Sequence, residues 1–281
     1  MADFKPKPRW IKTPLPTGKT YHQTKAIIEN HHLHTICTSG NCPNRAECWN
    51  AGTATFMILG DICTRSCKFC GTKSGKPLPV DKEEPKRLAK SINLMQLKHA
   101  VITSVDRDDL EDGGASIWAE SIRLVKEYNP KITLEVLIPD FNGEEKYIQQ
   151  IISEKPEVIS HNLETVRRLT PLTRSKAQYD CSLDVLRIIA HSPSRAKSGI
   201  MLGLGEKKNE ILQTMQDMRA VGVEVLTLGQ YLAPSDKHLP IKAWITPEEF
   251  KEYEETGLKM GFLFVESGPL VRSSYHAEKH V

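Results

Sequence analysis

Short apolar runs alternate with longer amphipathic stretches along most of this chain. The runs TATFMIL (53–59), HAVITSV (99–105), ITLEVLI (132–138), EVISHNL (157–163), SGIMLGL (198–204), VEVLTLG (223–229) and FLFVES (262–267) read as strands. Between them, helical spacing covers 81–97, 114–128, 143–154, stretches up to 191, and 207–221. The helix over 114–128 should stop before Asn129-Pro130, because proline disfavours helix at the residue before it. A last helix is predicted to start at Thr246-Pro247-Glu248-Glu249, where threonine can cap and proline can occupy the first helical position. One further helix is predicted near the N-terminus, over 20–30.

Six strand–helix repeats in succession predict an α/β protein with parallel strands and crossover helices. Runs such as AVITSV and GIMLGL scarcely alternate, as expected when helices or core cover both faces of a strand. An open doubly wound sheet and a complete or partial barrel both fit. In either, the loops after the strands' C-terminal ends carry the chemistry.

Composition narrows the class. Of 281 residues, 39% are hydrophobic and 26% charged, which suits a globular protein with a sizeable core. A net charge of +3 is too mild to argue for nucleic acid, though it suits an acidic protein partner. No apolar run approaches the ~20 residues of a membrane span. The opening MADFKPKPRW lacks the apolar core of a signal peptide, and no Arg- and Ser-rich transit pattern follows, so a cytoplasmic protein is expected. Residues 1–20 set Lys5, Lys7, Arg9, Lys12 and Lys19 against Asp3 and include four prolines, which predicts an extended arm. It is either a solvated tail or an arm laid on the body or on an acidic partner.

Six of the seven cysteines crowd into residues 37–70. Such clustering in a cytosolic chain points to metal or redox chemistry rather than to disulfides. Cys63, Cys67 and Cys70, spaced C-x3-C-x2-C, follow directly on the strand at 53–59. Three thiolates on one loop can hold three irons of a [4Fe-4S] cluster and leave the fourth iron open. Structural zinc is the alternative, but it normally takes four closed ligands. The next histidine, His99, lies inside a predicted strand. Cys37, Cys42 and Cys48 form a second triad, spaced C-x4-C-x5-C, with His31, His32 and His34 close enough in sequence to complete a zinc site. Cys181, in the amphipathic stretch QYDCSLDVLRIIA, reads as a buried, inert thiol.

The Cys63 loop resembles the signature of the radical S-adenosylmethionine (SAM) superfamily. That resemblance implies that SAM chelates the open iron and that an electron from the reduced cluster splits it into methionine and a 5′-deoxyadenosyl radical. Phe69 matches the aromatic that precedes the third cysteine of the signature, beside the adenine. Asp112-Gly113-Gly114 matches the glycine pair that receives the methionine amino group, but Ala115 stands where the superfamily has Glu. Asp106, Asp108, Asp109 and Asp112 are possible substitutes, and a tight strand–helix turn explains the glycines as well. Gly203-x-Gly205-Glu206 resembles the superfamily's glycine-rich strand end. Asn162, Glu164 and Arg174 could reach the SAM carboxylate or ribose, or simply cap a helix and carry surface charge.

Two adjacent triads, together with Arg272-Ser273-Ser274-Tyr275, resemble the lipoyl synthase family from Cys37 to Tyr275. The resemblance implies two [4Fe-4S] clusters, the second held by Cys37, Cys42, Cys48 and, as fourth ligand, Ser274. Arg272 would influence that cluster or the substrate amide. The implied activity inserts two sulfur atoms at C6 and C8 of an octanoyl chain amide-linked to a lysine of an acidic lipoyl carrier domain. Two SAM molecules are used, and the second cluster is consumed as sulfur donor. The implied partners are an electron donor such as flavodoxin or ferredoxin and an iron–sulfur carrier for cluster repair. The implied fold is a partial (β/α)6 TIM-type barrel whose N-terminal and C-terminal extensions cap the mouth. The expected division is an N-terminal extension (1–52), the barrel (53–267) and a C-terminal tail (268–281). Rival readings are another two-cluster radical SAM enzyme, such as a biotin-synthase-like protein or a methylthiotransferase, and a non-enzymatic zinc module.

Overall fold

A computed structural model of the protein describes residues 7–13 and 15–281. Residues 1–6 and 14 of the expected basic arm lie outside the described residues. In the described part of the arm, Ile11 is buried. The chain begins with α1 (Lys19–Asn30), β1 (His34–Thr35), α2 (Ile36–Ser39) and α3 (Arg45–Asn50). Next come β2 (Thr55–Ile58), a small pair β3 (Ile62–Cys63) and β4 (Lys73–Ser74), then α4 (Glu84–Leu94) and β5 (His99–Ser104). The repeat continues with α5 (Ala115–Tyr128), β6 (Thr133–Leu137), α6 (Glu145–Ser153), β7 (Val158–Ser160), α7 (Thr170–Thr173) and α8 (Tyr179–Ala190). It closes with β8 (Arg195–Leu202), α9 (Lys208–Ala220), β9 (Val225–Gln230), α10 (Pro247–Lys259), β10 (Phe264–Gly268) and a final 3-10 turn, Ala277–His280.

The main sheet has eight strands in the order β1-β2-β5-β6-β7-β8-β9-β10. From β2 to β10 every neighbouring pair is parallel, and β1 runs antiparallel to β2. Seven of these strands coincide with the apolar runs. The two-residue β1 is too short to leave a periodic signal. Thr246 caps α10 as its sequence suggests: its hydroxyl accepts from Glu249 N, while the Glu249 carboxylate accepts from Thr246 N. α5 ends at Tyr128, with Asn129 as its cap.

Two boundaries differ from the pattern, for a physical reason in each case. β7 stops at Ser160 because the regular ladder breaks there: His161 N and Glu164 N still donate to β8, but Glu164 takes a left-handed backbone and pairs only through an isolated bridge. β8 starts at Arg195, earlier than its apolar run, because its charged residues are paired inside the protein. Lys197 and Glu135 are both fully buried, with Nζ 2.7 Å from a carboxylate oxygen. Side chains two apart on a strand share a face. Met201 and Gly199 line the central cavity, so Lys197 faces the same interior; Glu135 lies likewise below cavity-lining Leu137. The pair forms a floor toward the N-terminal ends of the strands.

Helices cover the outer face of the sheet in two apolar cores. One joins β2, β5 and β6 to α4, α5 and α6, with Trp118 and Phe56 at its centre. The other joins β8 and β9 to α8, α9 and α10 through Leu186, Met215 and Phe250. No described helix is long and apolar enough to cross a membrane.

Candidate active site

A cavity of about 320 Å³ opens at the C-terminal ends of the strands. Residues of the Cys63 loop, the ends of β5 to β9, Ile36 from α2 and Val271–Ser273 from the C-terminal segment line it. Cys63, Cys67, Cys70 and Phe69 all contribute to its wall. The loop is fixed by backbone contacts. Lys68 N donates to Thr173 O at 2.8 Å, Ser66 N donates to Ser175 Oγ at 3.1 Å, and His238 Nε2 donates to the Cys70 carbonyl at 3.0 Å.

Arg65, between the first two cysteines of this loop, is the clearest anchor. Its guanidinium makes bidentate bonds to Asp108, at 2.8 and 2.9 Å, and to Asp140, at 2.7 and 2.9 Å. Asp106 lies 3.4 Å away. The loop after β2 is thereby tied to the ends of β5 and β6. Although burial opposes the charge, these carboxylates push the Arg65 pKa up, and Arg65 holds Asp140 down at about 2. Burial raises Asp106, with Asp140 and Asp108 repelling it. Of the acids that the sequence offers in place of the missing glutamate, Asp106 and Asp108 are partners of Arg65, as is Asp140, and Asp109 pairs with Arg107.

Cys37, Cys42, Cys48, Cys63 and Cys70 are buried enough that a free thiolate is disfavoured. Burial pushes Cys63 up to about 12, with Asp106 adding to it, and raises Cys70. In the second triad burial pushes Cys37 up to about 11 and Cys48 to about 12, each raised further by its neighbouring cysteines. A bound cation reverses this logic, since it deprotonates a coordinating thiol outright. Among the described residues no three His, Cys, Asp or Glu side chains gather tightly enough to hold a single metal ion.

The C-terminal segment reaches the second triad residue by residue. The Arg272 charge bears on Cys42, and burial pushes this thiol up and this guanidinium down. Ser274 Oγ accepts from Thr55 Oγ1 at 2.7 Å, and Thr55 also lies beside the Cys37 thiol. The Tyr275 hydroxyl donates to Glu47 at 3.2 Å, beside Cys48. Asn44 Nδ2 donates to the Leu270 carbonyl at 2.7 Å. Gly229 makes the crossing possible: a Cβ there would stand 2.1 Å from the Val271 carbonyl oxygen. Sequence reading missed Thr55 and Asn44, ordinary residues whose partners lie more than 200 positions away. His34 sits near Glu84.

On the opposite wall stand Asn162, Glu164 and Arg174. Arg174 Nη1 donates to Ser182 Oγ at 2.9 Å and to the Asn162 carbonyl at 3.2 Å. Burial raises Glu164, opposed by Arg174. Glu164 holds a left-handed backbone, φ 66°, which a non-glycine residue adopts only when its surroundings impose it. Asn162 Nδ2 donates to Ser273 Oγ at 2.7 Å, while its buried Oδ1 has no partner among the described residues. That oxygen fits a cavity ligand that brings its own N–H donor.

Asp112, Gly113 and Gly114 are not among the cavity-lining residues. Asp112 accepts from Gly114 N and Ser116 N and so builds the start of α5. Gly114 is needed for packing, because a Cβ there would stand 2.5 Å from Leu59. Glu206 accepts from Gly203 N and Leu204 N, which makes the Gly203–Glu206 stretch a self-bonded turn. Cys181 is half-buried rather than buried, because it lies on α8 against Gly143 near the surface.

A parallel β/α sheet with a three-cysteine loop after its first long strand defines a class, and the comparisons agree. The Radical SAM superfamily model matches residues 57–218. Among solved structures, Streptococcus suis SuiB bound to precursor peptide SuiA is similar at a TM-score of 0.59 and 10% identity, over 92% of this chain and 55% of that one. Methylornithine synthase is similar at 0.52 and 13%, over 89% and 78%. These likenesses concern the fold. Closer in sequence is the lipoyl synthase of Christiangramia forsetii, 58% identical over 100% of this chain and 96% of the relative. That of Bacteroides fragilis is 60% identical over 98% and 96%. The mitochondrial lipoyl synthase of Nematostella vectensis is 57% identical over 98% and 95%. The chain belongs to the lipoyl synthase family, the sulfur-inserting enzymes of the radical SAM class.

Proposed function

We propose that this enzyme inserts two sulfur atoms, at C6 and C8, into an octanoyl chain amide-linked to a lysine of an acidic lipoyl carrier domain, using two SAM molecules. The observation that carries this reading is the meeting of the two extensions. Arg272 bears on Cys42, Tyr275 lies near Cys48, and Ser274 bonds Thr55, which itself lies beside Cys37, next to the same cavity that the Cys63 loop lines. Cys63, Cys67 and Cys70 would hold one [4Fe-4S] cluster; Cys37, Cys42, Cys48 and Ser274 would hold a second. When bound, the first with SAM supplies the one-electron chemistry that unactivated C–H bonds require, and the second supplies sulfur.

The protein's own residues do the rest. Ile36, Leu137, Ile138, Ile200, Met201 and Val271 give the cavity an apolar wall suited to an alkyl chain. Asn162, Glu164 and Arg174 would meet the SAM carboxylate or ribose, the unpartnered Asn162 Oδ1 accepting from a donor on the ligand, and Phe69 would lie beside the adenine. Excluding water from this slot protects reactive species from side reactions. Arg272 neutralises charge next to Cys42. Ser274 offers a harder donor than thiolate, poorly matched to iron–sulfur clusters and therefore easier to release. Flavodoxin or ferredoxin as reductant, an iron–sulfur carrier for rebuilding the spent cluster, and a cytoplasmic location complete the reading. So do the three segments 1–52, 53–267 and 268–281.

The test is mass spectrometry of an octanoyl-lysyl peptide incubated anaerobically with the reconstituted enzyme, SAM and reductant. A product carrying two added sulfurs is expected. Cleavage of SAM with an unmodified peptide would overturn the reading.

A further inference from the structure

The chain does not end at the serine motif, and its last residues are not a loose tail. His276 takes a left-handed backbone, φ 52°, and turns the chain into Ala277–His280. His280 is 1% exposed and sits against the floor of the barrel. Lys197 Nζ, already bonded to both Glu135 oxygens at 2.7 and 2.8 Å, lies 3.2 Å from His280 Nδ1. An ammonium can only donate, so Nδ1 accepts and the ring proton sits on Nε2, which faces Glu266 at 3.8 Å. Arg195 Nη1 donates to the His280 carbonyl at 2.6 Å, and the His280 ring packs 5.8 Å from Phe264.

This placement gives the segment two fixed ends. Upstream, Val271 lies on Gly229 and Ser273 is held by Asn162. Downstream, His280 is gripped by side chains from β8 and β10. Ser274 lies between. A hydroxyl that binds iron weakly gains most from being held in place, because little of its binding free energy is then spent on ordering the chain.

We propose that His280, seated on the Lys197–Glu135 floor, is a positioning residue that fixes Ser274 for the N-terminal cysteine triad. The proposal rests on the reading of Ser274 as fourth ligand. It also gives the buried ion pair a role. A charge pair taken wholly out of water contributes little net stability, but it offers a directional docking point that an apolar floor lacks.

The test is the rate at which anaerobically reconstituted full-length enzyme loses iron to a ferrous chelator. His280→Leu, which keeps bulk but cannot accept from Lys197, should release one set of about four irons about tenfold faster, the equivalent of ~1.4 kcal/mol. His280→Gln, which keeps an acceptor, should restore most of the slow rate. Adding Ser274→Cys to His280→Leu should restore it as well, because a thiolate binds without needing to be held. Unchanged release from His280→Leu would overturn the proposal. So would fast release that Ser274→Cys does not slow, since that marks general loosening. Wild-type enzyme that holds only about four irons would instead sink the two-cluster reading itself.

Discussion

The two sulfur triads are built in opposite ways. Cys63, Cys67 and Cys70 sit on one eight-residue loop directly after β2, riveted by Arg65 to carboxylates at the ends of β5 and β6. The other triad lies on two short helices of the N-terminal extension and the loop between them, and the C-terminal segment reaches its neighbours Thr55, Glu47 and Asn44. A local site locked into the sheet suits a group that must survive every turnover. On the proposed reading, a site shared between the N-terminal and C-terminal segments suits a group that is opened and rebuilt.

Removing sulfurs breaks this comparison most severely. Cys63→Ala should lose about four irons and abolish both SAM cleavage and sulfur insertion. Cys48→Ala should lose as many yet still cleave SAM. Equal loss of SAM cleavage in both variants would show that the triads do not divide the work. Ser274→Cys is expected next in size: full iron content, with sulfur insertion slowed by about tenfold or more because the harder oxygen donor is gone. Wild-type turnover in that variant would deny the serine any part in opening the cluster.

The remaining predictions concern how firmly the local site is held. Arg65→Met strands buried carboxylates and should cost the iron-free chain ~3–5 kcal/mol in urea unfolding. Arg65→Lys should recover only part, since lysine cannot make two bidentate contacts. A loss under 1 kcal/mol would mean that the rivet is ornamental. The smallest effect is acid sensitivity. His161 Nδ1 donates to the Ile138 carbonyl and Nε2 accepts from Ser182, the same hydroxyl that Arg174 bonds. Burial pushes His161 down to about 4, from an ordinary value near 6.5. Its contribution is therefore complete above pH ~6.5 and fades as the pH falls toward 4, at up to ~1.4 kcal/mol per unit. His99 and His280, pushed down to about 4 and about 3, share this window. Unfolding midpoints measured between pH 7 and 5 should fall less steeply in His161→Gln than in wild type.

Much of this was legible from residue order. The parallel strands announce themselves as apolar runs, six of them largely buried on both faces and β10 half-buried. The Thr246 cap and the Asn129 stop are local, and local rules suffice for them. The spacing of Cys63, Cys67 and Cys70 requires nothing beyond a single loop. Resemblance, not spacing, raised Ser274. From chemistry alone a serine pair near a terminus is a polar tail.

What the tertiary structure decided are the contacts whose partners lie far apart in sequence. Nothing near Arg65 predicts Asp140, nothing near Lys197 predicts Glu135 and His280, and nothing near Thr55 predicts Ser274. It also moved Asp112, Gly113 and Gly114 out of the cavity wall and into a helix start, where two backbone N–H groups needed a carboxylate. Short-range patterns record which face of an element must be buried. Which charges meet inside depends on how six crossovers bring the strands round, and that is a property of the tertiary packing.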